Sequence, residues 1–257
     1  MEIKEFTELA EKYKTVPVYK KILADLLTPI SAYLRRGKNF DYAFFLESVE
    51  KGERYGRYSF IGRNPHIILK SENDKTQKWE DGVWEEKPAS FLSVLRETQK
   101  NYKAPKLSGI PHFTGGLVGF MGYESIIWVE DIPIYVKDEL QCPDALFMLF
   151  HEMIAFDHLQ NQIILFSNVQ IEEELDLEQA YHDANFRIDQ IGEDLHTDID
   201  YQSPARLEKS DLQSNFTQSE FENVVCKAKE HIEAGDVFQL VLSQRFHRNT
   251  SADPLTV

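Results

Sequence analysis

The chain has 257 residues, a length that suits one large domain or two smaller ones. Aromatic residues make up 12% of it, which excludes an intrinsically disordered polypeptide. Forty-three acids against 28 bases give a net charge of −15, which argues against a nucleic-acid binder, since that needs a basic face.

Phe6, Leu9, Ala10 and Tyr13 follow the 3, 4 and 7 spacing of one helical face. Thr15–Lys20 reads as extended, because Pro17 disfavours helix for the residue before it. Ile22–Leu27 is either a short helix or an irregular segment leading to Thr28-Pro29, and Ile30–Leu34 resumes a helical pattern before a turn at 36–39. Strand signals follow at Tyr42–Ser48, Tyr58–Gly62 and His66–Lys70. Trp79 and Trp84 flank Asp81-Gly82, the strongest hairpin signal in the chain. Pro88–Tyr102 reads as helix, with Phe91, Leu92 and Leu95 on one face. Gly115–Glu124 comes next, then strands at Pro143–Phe150 and Gln162–Phe166, with a turn over Asp157–Asn161.

Residues 171–215 are crowded with acids. Leu177, Ala180, Tyr181, Ala184 and Ile188 keep helical spacing, which predicts an exposed acidic helix; 201–215 reads as a linker. Thr217-Gln218-Ser219-Glu220 is a capping-box signature, and Phe221, Val224, Val225, Ala228 and Ile232 then form an apolar helical face ending at Gly235. Val237–Phe246 is predicted to return as a strand. One face of it carries Phe238, Leu240, Leu242 and Phe246; the other mixes Gln239, Ser243 and Arg245 with Val237 and Val241.

Two cysteines, Cys142 and Cys226, exclude a disulfide scaffold and a Cys-based zinc site. Met1-Glu2-Ile3-Lys4-Glu5 lacks the basic start and apolar run of a signal peptide. The apolar stretch Ala145–Phe156 is broken by His151 and Glu152 and is too short for a bilayer, so a soluble cytoplasmic protein without a membrane partner is expected. Gly115, Gly116, Gly119 and Gly122 do not have phosphate-loop spacing and read as a strand crossing close backbone. The eight histidines have no metal-ligand spacing. At the end of an apolar strand, Leu46-Glu47-Ser48 offers a carboxylate and a hydroxyl able to grip an ammonium group, although strand ends are often polar for ordinary reasons. Gln239 is buried by pattern and needs partners for its amide, for which a core hydrogen bond is a sufficient reason.

Several blocks together resemble the anthranilate synthase component I family, the large, chorismate-amidating subunit. They are Asp25–Tyr33, Phe45-Leu46-Glu47-Ser48-Val49-Glu50, Gly56-Arg57-Tyr58-Ser59-Phe60-Ile61-Gly62, Gly115–Phe120, Pro143-Asp144 and Ala228–Phe246. The resemblance implies an α/β fold of the α+β type, with strand-rich, mostly antiparallel sheets and flanking helices. It also implies conversion of chorismate and ammonia to anthranilate and pyruvate, with Mg²⁺ as cofactor and ammonia supplied by a glutamine amidotransferase partner, component II. L-tryptophan is the implied feedback inhibitor, with Leu46, Glu47 and Ser48 in its site. The domains implied are 1–200 regulatory, 201–215 linker and 216–257 the start of the chorismate-binding catalytic domain.

The family's Pro-Ser-Pro-Tyr-Met segment is absent from this sequence, and its magnesium carboxylates and main catalytic residues come after the position matched by Val257. The expectation is therefore an amino-terminal part, inactive alone and without metal ligands of its own. Gln239 stands where water-adding relatives carry a lysine. An uncharged amide cannot take a proton from water, which points to ammonia as the nucleophile. Aminodeoxychorismate synthase component I shares this glutamine and is the alternative, as is a non-catalytic tryptophan-binding module.

Overall fold

A computed structural model of the chain describes residues 1–36, 40–47, 56–133, 140–199 and 211–252. They divide into two compact units, Met1–Asp200 and Tyr201–Val257.

The first unit opens with helix α1 (Ile3–Ala10), whose Phe6 is fully buried, and strand β1 (Thr15–Leu23). Helix α2 (Pro29–Arg36) follows; residues 24–28, between β1 and α2, are irregular, which resolves the alternative left open there. Strands β2 (Ala43–Leu46), β3 (Tyr58–Arg63) and β4 (Ile67–Glu72) come next, then the hairpin of β5 (Lys75–Glu80) and β6 (Val83–Lys87). In that hairpin Trp79 pairs with Trp84, and Asp81 and Gly82 both take positive φ, 51° and 84°, the turn whose twist matches the strands it joins. Helix α3 (Phe91–Asn101) buries Phe91, Val94 and Thr98, a face one residue off the predicted one. Strand β7 (Gly116–Met121), a short 3-10 helix (Tyr123–Trp128), strands β8 (Ala145–Phe150), β9 (Glu152–Asp157) and β10 (Gln162–Gln170), and helix α4 (Leu177–Asp194) complete the unit.

The strands form two five-stranded sheets in the orders β1-β10-β9-β3-β2 and β6-β5-β4-β8-β7, with every ladder antiparallel. Side-chain alternation sorts the core into three layers. Ile154, Phe156, Ile163 and Leu165 pack with Phe6, Ala32, Ala184 and Ile188 of the helices on one side of the first sheet. Met153, Ala155, Ile164 and Phe166 meet Ile68, Met148 and Phe150 between the sheets. Ile67, Leu69 and Leu149 face Phe91 and Val94 of α3. The arrangement is helix, sheet, sheet, helix. The inner strands are apolar on both faces because both faces are covered.

Two details depart from the sequence reading. The apolar run 145–156 is broken at His151 into two strands of different sheets, the second of which, β9, carries no separate strand signal in the sequence. Asn168 pins this corner: its backbone amide donates to the His151 carbonyl at 2.8 Å, and its Nδ2 donates to the carbonyls of His151 and Thr114, both at 2.9 Å. The acidic helix α4 is amphipathic rather than fully exposed, burying Ala180, Ala184, Ile188 and Ile191 and turning its acids outward. The glycine-rich segment is a strand, as predicted. A Cβ on Gly119 would collide with the Leu146 carbonyl oxygen and the Phe147 Cα of the neighbouring strand.

In the second unit, helix α5 (Gln218–Ala234) has the predicted capping box at Thr217 and Glu220 and ends at Gly235 with φ 81°. The predicted strand 237–246 is not formed. Only Phe246–His247 (β12) pairs, with Gln213–Ser214 (β11), while Phe238 and Val241 are 95% and 84% exposed. The reason is the absence, among the described residues, of a ladder partner for 237–244; at Arg245 the backbone carbonyl already accepts from the Asn215 amide at 3.3 Å. Without interstrand hydrogen bonds an alternating sequence does not hold a strand.

Candidate functional site

The predicted Leu46-Glu47-Ser48 lies where β2 ends at the edge of the first sheet. Leu46, the last residue of β2, pairs with Phe60 and is 46% exposed; Glu47 follows it and is exposed. Ser48 lies outside the described residues. Strand alternation puts Leu46 and Glu47 on opposite faces of the sheet. Phe44 joins the layer between the sheets and Phe45 the helix-side layer, where its ring stacks on Tyr33 at 5.7 Å between centroids. Glu47 therefore shares the helix side with Phe45.

The register brings other polar groups to the same end of the sheet. Ser59 on β3 is 1% exposed; its Oγ donates to Glu47 Oε1 at 3.4 Å and lies 2.7 Å from His158 Nε2. His158 directly follows β9, and its backbone amide donates to the Arg57 carbonyl at 2.9 Å. Arg57 and Asp157 form a two-pronged ion pair beneath it, and Asp157 also accepts from the amides of Leu159 and Gln160 at 3.1 and 3.2 Å. The Arg57 guanidinium lies 4.9 Å above the Tyr58 ring. Burial, and then the Asp157 charge, push the Tyr58 hydroxyl up. This end of the sheet thus offers an exposed carboxylate backed by a buried hydroxyl and an imidazole. Chemically, such a group binds a cation or an ammonium.

Of the residues singled out from sequence, Leu46 and Glu47 are adjacent but face apart. Gln239, expected to be buried, is exposed in a segment without regular structure, for the reason given for 237–244. Ser59, His158, Arg57 and Asp157 were not singled out as site residues. Arg57 and Ser59 sit in one of the blocks carrying the resemblance, and Asp157 opens a turn of the kind an aspartate side chain stabilises. His158 carried no local signal.

A second polar concavity of about 600 Å³ lies in the first unit, lined among others by His66, Trp79, Tyr102, His151, Asn168 and Arg187. The His66 and His151 rings stack at 4.4 Å. Burial, then the neighbouring His66 and Arg187, push the His151 imidazole down to about 4. Among the described residues, no group of three or more His, Cys, Asp or Glu side chains is placed to hold a metal ion, and no helix is long and apolar enough to cross a membrane.

Residues 41–257 match the family described as chorismate binding enzyme. The chain is 36% identical to anthranilate synthase component 1 of Synechocystis sp. over 97% of its own length and 51% of that protein. It is 35% identical to the probable anthranilate synthase component 1 of Schizosaccharomyces pombe over 100% of its length and 50% of that protein. Its fold is similar to the crystal structure of anthranilate synthase component I from Streptococcus pneumoniae, with a TM-score of 0.65 and 27% identity, over 92% of this chain and 51% of that one. The chain spans about half the length of the relatives it matches. With its antiparallel sheets and flanking helices it has the expected fold class, and it belongs to the chorismate binding enzyme family, among homologues of anthranilate synthase component 1.

Proposed function

We propose that this chain is the amino-terminal half of an anthranilate synthase component 1, which converts chorismate and ammonia to anthranilate and pyruvate and is feedback-inhibited by tryptophan. The observation that carries the reading is collinear similarity over nearly the whole chain to proteins of that name. In this proposal residues 1–200 form the regulatory domain, 201–215 a linker and 216–257 the start of the catalytic domain. Leu46, Glu47 and Ser48 contribute to the tryptophan site, and the exposed Glu47 carboxylate is suited to the α-ammonium group. Gln239 lies on the nucleophile side, where an uncharged amide favours ammonia over water. Its present exposure follows from unmade strand pairing, and the remaining half of the protein would supply the partner strands. A glutaminase subunit delivers the ammonia, the protein works in the cytoplasm, and magnesium is assigned no ligand in this chain. The 257 residues alone are inactive on chorismate.

The test is to incubate the full-length protein with chorismate, ammonium and magnesium and to identify the product by mass and fluorescence, with and without tryptophan. Anthranilate formation that tryptophan suppresses supports the reading. Aminodeoxychorismate as product moves the protein to the alternative branch. Tryptophan binding without chorismate turnover leaves a binding module. Ser48→Phe should raise the tryptophan concentration for half-inhibition at least tenfold, roughly the loss of one well-made contact by steric filling.

A further inference from the structure

Three adjacent strands bring one polar side chain each into a row at one end of the first sheet. Glu47 follows β2, Ser59 lies on β3 and His158 follows β9. We propose that Ser59 and His158 are positioning residues for the Glu47 carboxylate, holding it ready for the ammonium group of an amino-acid ligand. The proposal rests on the reading of Glu47 as part of the tryptophan site and extends that site by two residues.

The hydrogen-bond inventory sets the direction of the row. Ser59 Oγ carries one hydrogen and has two neighbours, Glu47 Oε1 at 3.4 Å and His158 Nε2 at 2.7 Å. An ionised carboxylate only accepts, so satisfying both contacts requires Ser59 to donate to Glu47 and His158 to donate to Ser59 through Nε2–H. Ser59 is 1% exposed, and a buried hydroxyl is costly to leave unpaired. His158, though exposed, is mounted on a braced turn. Its amide is bonded to the Arg57 carbonyl, and the preceding Asp157 is held by Arg57 and by the amides of Leu159 and Gln160.

Those four donors also engage the Asp157 carboxylate, which leaves Glu47 as the carboxylate that this row presents. With Oε1 held by Ser59, the carboxylate has less rotamer freedom to lose when an ammonium group binds it. Preorganisation of this kind strengthens binding by removing an ordering cost. The row also favours an ammonium-bearing ligand over one without it, because only the former uses the oriented carboxylate.

The experiment measures calorimetric binding of L-tryptophan and of indole-3-propionate, which keeps the ring and carboxylate but lacks the ammonium, to the full-length protein. Ser59→Ala and His158→Phe should each weaken tryptophan about three- to tenfold, the worth of one hydrogen bond, and leave indole-3-propionate within about twofold. Ser59→Thr and His158→Gln, which keep a hydroxyl and an N–H donor, should keep near wild-type tryptophan affinity. Equal weakening of both ligands, or the same loss in Ala and Thr at position 59, overturns the proposal in favour of a merely structural role. The Ala and Thr comparison stands independently of the deaminated ligand. Glu47→Gln separates the two levels. If it leaves tryptophan binding unchanged, or if the wild type binds no tryptophan, the Glu47 reading fails and the row with it. If it weakens binding while Ser59→Ala and His158→Phe do not, only the positioning role is overturned.

Discussion

Arg57, just before β3, and Asp157, the last residue of β9, form a two-pronged ion pair: Nε donates to Oδ1 at 3.0 Å and a terminal guanidinium nitrogen to Oδ2 at 2.6 Å. The Asp157 side chain is 1% exposed and that of Arg57 27%. Burial alone would raise the Asp157 carboxyl, but bonds from Arg57 and the Gln160 and Leu159 amides, with the guanidinium charge, hold it below the usual carboxylate range. Removing one partner of such a pair strands the other. Asp157→Ala should therefore cost about 3 kcal/mol in urea unfolding. A depressed carboxyl contributes stability that is present above its unfolded pKa and lost as pH falls through the folded value. Wild-type stability should thus drop below about pH 4, more steeply than in the variant.

His151 predicts a different acid limb. Its Nε2 is buried with no hydrogen-bond partner among the described residues, and its imidazole is held down to about 4, first by burial and then by the charges of His66 and Arg187. The unfolded chain takes up this proton near pH 6.5, so folding stability is lost as pH falls from there towards 4. Comparing urea unfolding at pH 7 and 4.5, His151→Phe should remove about 2 kcal/mol of the wild type's acid loss. An unchanged difference would mean that His151 is protonated at little cost.

Gly119 pairs with Phe147, and the two strands approach closely enough there that a Cβ would meet the Leu146 carbonyl oxygen. Backbone cannot move aside as a flexible side-chain tip does. Gly119→Ala should destabilise the protein by about 1–3 kcal/mol, read as a lowered urea midpoint. Near-neutral behaviour would mean that β7 shifts freely at the sheet edge.

At the start of α5, Thr217 Oγ1 accepts from the Glu220 amide at 3.3 Å, and Glu220 Oε2 returns to the Thr217 amide at 2.8 Å. Thr217→Ala should cost about 1 kcal/mol. Hydrogen exchange at the amides of residues 218–221 should quicken roughly fivefold, and Thr217→Ser should restore the slow rate. Equal exchange in Ala and wild type would show that the box contributes nothing.

Local chemistry was legible wherever the deciding atoms are close in sequence. Asp81-Gly82 announced its hairpin because that turn needs two positive φ angles, and Thr217, Glu220 and Gly235 marked both ends of α5. Glu47, Ser59 and His158 were not legible as a row: 12 positions separate the first two and 99 the last two. Nothing but strand register joins them. Residues 237–244 failed in the opposite way, since their alternation was clear but they have no ladder partner among the described residues.

The sequence by itself determined the positions of most helices, hairpins and caps, and through its blocks the family, because these depend on short-range periodicity and on residue types with narrow backbone preferences. Only the tertiary structure decided that the apolar run 145–156 divides between two sheets at His151, and that Leu46 and Glu47 face apart on an edge strand. A strand covered on both faces is apolar throughout and carries no alternation to show which sheet it joins or in what register. That choice is made by packing and by anchors such as Asn168, whose partners lie far along the chain.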